Sequence, residues 1–232
     1  MNGKCMQILI YNTSTNPELP VIIWSKTRIL KWTDFKKKSD PKDKASASAA
    51  IGFESKPIIE HIKIGNKFKF KIRDMQFHAV FIPDLSWVMK NLSEKNSKLL
   101  LKHEQGHFDL GEEITRKAII KTTNRFHNRS LVVKGKNEDK AKKDAIFQVT
   151  KIRKEIEREL QKEFKRQEAK YDDKTNHGLI IEFQEKYNKR FEKLRLGNDS
   201  LKVKRTIPKS NSLKVDAIMK NPTSLKARTR IN

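Results

Sequence analysis

A single cysteine, Cys5, serves the whole chain. Without a second thiol there is no intrachain disulfide, and zinc sites built on several thiolates are excluded as well. No apolar run approaches the ~18–20 residues that a membrane span requires. The apolar stretch from Gln7 to Tyr11 is too short for the hydrophobic region of a signal peptide, so the expectation is a soluble cytoplasmic protein. Acids are scarce too: 28 Asp and Glu face 52 Lys and Arg, a net charge of +24. Only 36% of the 232 residues are apolar, which suits one modest core but not two large domains.

What is present changes character along the chain. Val21 to Trp24 is a short apolar run that suits a buried strand, and Lys36 to Ala50 has loop composition. From Ile62 to Arg73 the residues alternate. Ile62, Ile64, Phe68, Phe70 and Ile72 fall on one face, and Lys63, Lys67, Lys69, Lys71 and Arg73 on the other, unless Gly65-Asn66 turns the segment into a hairpin. Phe77, Ala79 and Phe81 continue the alternation until Pro83 stops it. Beyond Pro83 the period becomes helical. Ser93 caps a helix expected from Glu94 past Ile120, with Leu99, His103, His107, Leu110 and Ile114 along one stripe. A second helix is expected from Asp139 to Tyr171, broken by Asp172 to Gly178. In the third, Ile180, Phe183, Tyr187, Phe191 and Leu194 point inward and Gly197 ends it. The fold class is therefore α+β: a small antiparallel sheet, a long metal-binding helix and a helical hairpin. Residues 1–197 form the domain, and residues 198–232 form a basic tail expected to be disordered.

His103-Glu-Gln-Gly-His107 is the chemical signal within the first helix. Imidazoles at i and i+4 share a helix face and can reach one Zn²⁺, while the intervening Glu104 can accept a proton from a water on that ion. Six His and sixteen Glu placed at random would produce the pattern in about one such chain in a hundred, so it needs a third ligand for support. Asp109 points away round the helix, and Leu110, Gly111 and Ile114 cannot bind a metal. His61 and His78 belong to strands, and His127 lies too far along the helix. His177 differs, because it sits in the polar break Tyr171-Asp-Asp-Lys-Thr-Asn-His177-Gly178, where a loop can turn a side chain inward.

The run His103 to Asp109 resembles the metal helix of a domain-of-unknown-function family of predicted secreted zinc-dependent proteases. Four further stretches are similar to that family in the same order: Trp32-Thr-Asp34-Phe35, Ala49-Ala50, Ser86-Trp87-Val88, and Tyr171-Asp172 with Thr175-Asn-His177-Gly178. The resemblance implies a zincin-like metallopeptidase with His103 and His107 as zinc ligands and Glu104 as the base, and together with ligand chemistry it favours His177 as third ligand. Asp172 or Asp173, an oxygen donor in the same loop, is the fallback. The resemblance also implies secretion, although the N-terminus reads otherwise and the basic tail is additional.

Two functions follow as expectations. The first is a zinc peptidase that hydrolyses a peptide or protein substrate through a zinc-bound water activated by Glu104, with Tyr171 or a Lys or Arg near the site available for the oxyanion. The second is a basic, non-enzymatic protein with a structural or inactive zinc site, whose strand face and tail contact nucleic acid or anionic membrane.

Overall fold

Residues 5–10, 19–39, 45–64, 67–90, 92–126, 129–135 and 137–197 are described by a computed structural model. The elements are β1 (Cys5–Ile10), β2 (Ile22–Ile23), β3 (Ala47–Ser48), β4 (Ile51–Ile64), β5 (Lys67–Phe81), β6 (Trp87–Val88), α1 (Glu94–Phe126), β7 (Arg129–Leu131), α2 (Glu138–Thr175) and α3 (Ile181–Leu196). The class is α+β, as expected. The larger sheet is antiparallel in the order β1-β4-β5-β2, with β7 also pairing β5, and β3 and β6 form a separate two-stranded ladder. No described helix is long and apolar enough to cross a membrane. The basic tail, His127 and the Gly65-Asn66 pair lie outside the described residues.

The long alternating segment is a hairpin, the alternative that the sequence left open, and the face assignment made for a single strand does not hold. Ile64 pairs with Lys67, so partners have opposite parity: His61 stands opposite Phe70 and Ile62 opposite Lys69. Directly opposed residues share a face. His61 therefore joins Phe70 and Ile72, stacking on Phe70 at 4.6 Å between ring centroids, while Ile62 goes with the lysines. Burial lowers the His61 pKa, with Glu138 opposing the shift. An irregularity between Ile58 and Ile59 shifts the register by one residue and so changes which residues of β5 face the core. Phe77, Ala79 and Phe81 then face the core.

Ser93 begins α1 as its composition suggests: its carbonyl accepts from Ser97 N–H at 2.8 Å. The centre of the helix, residues 103–115, is buried all round. A helix in that position is normally apolar all round. Here Gln105, Asp109, Glu112 and Glu113 are buried instead, and each finds a partner, because an unpaired buried carboxylate would cost several kcal/mol. Asp109 accepts from Trp24 Nε1 at 2.8 Å and from Gln105 Nε2 at 3.1 Å, and pairs with Arg195 of α3. Glu113 holds Arg190 of α3, and Gln105 Oε1 accepts from Leu30 N–H at 2.7 Å. These contacts tie α3 and the N-terminal loop to the central helix.

Asn137 caps α2, accepting from Lys140 N–H at 3.0 Å. The helix continues four residues past its expected end at Tyr171, because Asp172 to Thr175 keep helical geometry and Thr175 Oγ1 donates to Tyr171 C=O at 2.7 Å. It ends where Asn176, His177 and Gly178 adopt left-handed φ of 45°, 53° and 85°. In α3, Gly197 at φ 77° is the stop, as its sequence implies. The inward stripe differs at its first turn. Ile180 and Phe183 are exposed, and Gln184, 2% exposed, takes the inward position above Tyr187 and Phe191.

Candidate metal centre

Helical spacing on α1 carries both imidazoles to one point. The Nε2 atoms of His103 and His107 lie 3.2 Å apart. The end of α2 brings Asp172, whose Oδ1 is 3.1 Å from each of them. His103, Asp172 and His177 also form a group whose donor atoms lie within 4.8 Å of one another, as do His103, Glu104 and His107. The expected residues are thus assembled, and Asp172, the fallback, makes the closest approach. Asp173 is exposed. His78 is exposed on β5 and His61 stacks under the sheet hairpin, so neither joins the group.

Two glycines permit this approach. A Cβ on Gly106 would lie 2.1 Å from the Tyr171 hydroxyl, so the middle of the His-Glu-x-x-His run must be bare for α2 to dock. Gly178, at φ 85°, passes His103 so closely that a Cβ there would stand 3.0 Å from the His103 Cβ. The preceding His177 has a left-handed backbone despite its side chain, a costly conformation that fixes its ring beside His103, 5.9 Å between centroids.

The outer ring atoms face a further layer of residues that the sequence did not single out. Gln184 Oε1 lies 3.2 Å from His103 Nδ1, and its Nε2 donates to the Tyr171 hydroxyl at 2.8 Å and to Asn188 Oδ1 at 2.9 Å. With its amide so oriented, Gln184 Oε1 accepts a hydrogen bond from His103 Nδ1–H and leaves the lone pair of His103 Nε2 facing inward. Glu168 Oε1 lies 3.8 Å from His107 Nδ1, a buried nitrogen with no hydrogen-bond partner. Both residues had a visible signal. Gln184 falls three before Tyr187 and seven before Phe191 on an apolar stripe, and Glu168, Tyr171, Asp172 and Thr175 share one face once α2 is extended. Tyr171 is fully buried behind His103 and donates to its carbonyl at 3.2 Å. It therefore supports α1, with its hydroxyl already engaged by the His103 carbonyl and by Gln184.

Acids dominate the surroundings. Burial disfavours a charged His107, but the Asp172 hydrogen bond and the nearby Glu104 and Glu168 outweigh it and raise its pKa to about 9. Burial also acts on Asp172, and the two histidines reverse it, holding that carboxyl well below the usual range. Glu168 is pushed up by burial. Glu104 is 3% exposed, and its Oε2 accepts from Ala49 N–H at 2.8 Å. Glu104 and His177 both line a cleft of about 260 Å³ between β3 and the first turns of α1.

Of the other stretches that carry the family resemblance, two reach α1, Trp32 at Ser97 and Ala49 at Glu104, and the rest pack on neighbouring strands and loops. Trp32 Nε1 donates to Ser97 Oγ at 2.8 Å, Phe35 packs on Phe81, Ala50 N–H donates to Ser86 Oγ at 2.9 Å, and Trp87-Val88 pairs with β3. Searches against protein-family models, curated proteins and solved structures return no match to this chain.

Proposed function

We propose that the protein is a zinc-dependent peptidase whose ion is held by His103, His107 and Asp172, with Glu104 as the base. The observation that carries this reading is the mutual spacing of the two Nε2 atoms and Asp172 Oδ1, 3.1 to 3.2 Å. Ligands at ~2.0–2.1 Å around a tetrahedral ion stand about 3.3 Å apart, so this donor set fits zinc with little movement. Two neutral imidazoles and one carboxylate also match the donor chemistry of catalytic zinc, which leaves a fourth position open.

When bound, the ion acidifies a coordinated water and polarises the carbonyl of the bond to be cut. The protein's own groups supply the rest. The Ala49 amide holds Glu104 Oε2, leaving Oε1 to take the proton of the attacking water and to pass it to the departing amine. Gln184 fixes the tautomer of His103. His177, on the cleft wall, is available to hydrogen-bond the carbonyl oxygen as charge develops there. This differs from the ligand role that the resemblance favours for it.

The test compares wild type with Glu104→Gln, both zinc-loaded, on casein and a mixed peptide library. Hydrolysis is expected to fall by ~10²–10⁴ while zinc content stays the same. Equal cleavage by both proteins would assign the activity elsewhere. Stoichiometric zinc without any cleavage would favour the non-enzymatic alternative.

A further inference from the structure

The cleft beside Glu104 has an unusual pair of walls. On one side is β3, which among the described residues pairs only with β6. Met89 N–H donates to Ser46 C=O at 2.8 Å, so Ser46 with Met89, and by alternation Ser48 with Trp87, are the bonded pairs. The N–H and C=O of Ala47 therefore point the other way, to the side on which Ala49 N–H meets Glu104. Ala47 lines the cleft. An edge strand with free backbone groups is a template for one more extended chain.

The opposite wall is apolar. Leu92, Leu99 and Leu100 are half-buried there, and Leu179, directly after the left-handed His177-Gly178 turn, is 66% exposed. Leu179 is continuous with exposed Ile180, Ile181 and Phe183, and a contiguous apolar patch of this kind marks a binding surface. Glu104 and His177 stand on the same cleft, so whatever fills it lies against the reacting groups. The volume of about 260 Å³ admits one large side chain, not a folded element.

We infer that this cleft selects a large apolar residue beside the bond to be cut, with Leu99, Leu100 and Leu179 as the specificity-determining side chains. The inference rests on the peptidase reading, and it names the substrate class: extended segments carrying Leu, Ile, Met or Phe next to the cleaved bond. The free edge at Ala47 holds the backbone of that segment, and the leucines read its side chain.

The experiment maps cleavage sites in a mixed peptide library by mass spectrometry, using the zinc-loaded full chain and its Leu99→Lys and Leu179→Glu variants. Zinc content and thermal midpoint serve as folding controls. Leu179 is largely exposed, so its substitution is the safer of the two for folding. Expected are Glu104-dependent cuts flanked by large apolar residues, at least about 10-fold over charged ones, with that preference lost or inverted in the variants. Glu104-dependent cleavage without an apolar preference, or a preference unchanged in both variants, overturns the inference and leaves the peptidase reading standing. A binding arm covers the reverse case, in which nothing is cut. Zinc-loaded Glu104→Gln protein is titrated into a fluorescein-labelled peptide with a central Leu-Phe and into its Ser-Ser counterpart. Binding that needs Leu-Phe and is lost in Glu104→Gln/Leu179→Glu keeps the apolar cleft while the peptidase reading falls. Equal binding of both peptides, or none, overturns the cleft as well.

Discussion

Gln184 of α3 holds His103 of α1 from behind, with its amide oxygen 3.2 Å from Nδ1 while Nε2 faces Asp172 at 3.1 Å. One polar residue on an otherwise apolar stripe thus links the last helix of the domain to the chemistry of the first. Its second amide contact, to the Tyr171 hydroxyl, brings α2 into the same network.

If that link sets the ring orientation, Gln184→Leu should weaken zinc binding by about 10- to 100-fold, the usual effect of removing an outer partner of a metal-bound histidine. Gln184→Glu keeps an acceptor at the same atom and should retain most of the affinity. Competition with a chromophoric chelator measures both, and equal affinity in wild type and Gln184→Leu would show that the contact is packing alone.

Asp172 and His177 are separable by metal content. Asp172→Asn should lose zinc as severely as His103→Ala or His107→Ala, since its Oδ1 approaches both imidazoles. His177→Ala should keep zinc and lose peptide turnover. Zinc loss in His177→Ala together with retention in Asp172→Asn would return His177 to the ligand role.

Gly106→Ala tests the docking of α2 on the metal helix. The added methyl would sit 2.1 Å from the Tyr171 oxygen and 2.7 Å from its ring, so one of the helices must shift. Overpacking of this kind costs roughly 1–3 kcal/mol, a loss of several degrees in thermal midpoint, and zinc affinity should fall with it. Adding Tyr171→Phe removes the nearest atom and should restore part of the loss. A Gly106→Ala protein with wild-type midpoint and zinc affinity would contradict this packing.

In the metal-free protein, His107 keeps its proton up to about 9, against 6.5 in an unfolded chain. A folded pKa raised in this way contributes stability that is fully present below about 6.5 and is lost as pH rises through about 9. The depressed Asp172 contributes above its ordinary value near 3.8 and loses that contribution as pH falls. Chelator-treated protein should therefore lose up to roughly 3 kcal/mol between pH 6.5 and 9, and Asp172→Asn should flatten the curve. Scanning calorimetry across that window checks it. Zinc affinity should rise over the same range, because binding releases the proton.

How much of this was legible beforehand varies with the range of the interaction involved. The alternation within Phe68 to Ile72 and again within Phe77 to Phe81, the Ser93 cap, the i, i+4 histidines and the Gly197 stop all express contacts between near neighbours, and each appears in the structure where the sequence puts it. Local pattern failed where parity or length depended on something distant. Ile62 was assigned to the core face, but the reversal between Ile64 and Lys67 gives that place to His61. Tyr171 was the expected end of α2, yet the helix runs on to Thr175 and carries Asp172 onto the imidazoles.

The sequence by itself determined the two histidines and the glutamate between them, because a helix has a fixed pitch and spacing along it is spacing in space. It also limited the possible third ligands to a few residues near the end of α2. Only the tertiary structure decided among them, and only it brought Gln184, Glu168 and the Ala49 amide to the site, from separations of 81, 61 and 55 residues. Those positions depend on how helices and strands dock, and docking follows from buried pairs such as Asp109 with Arg195 and from the bare surface of Gly106. No periodicity in the chain records which distant partner will fill such a place, since that is set by the packing of the whole core at once.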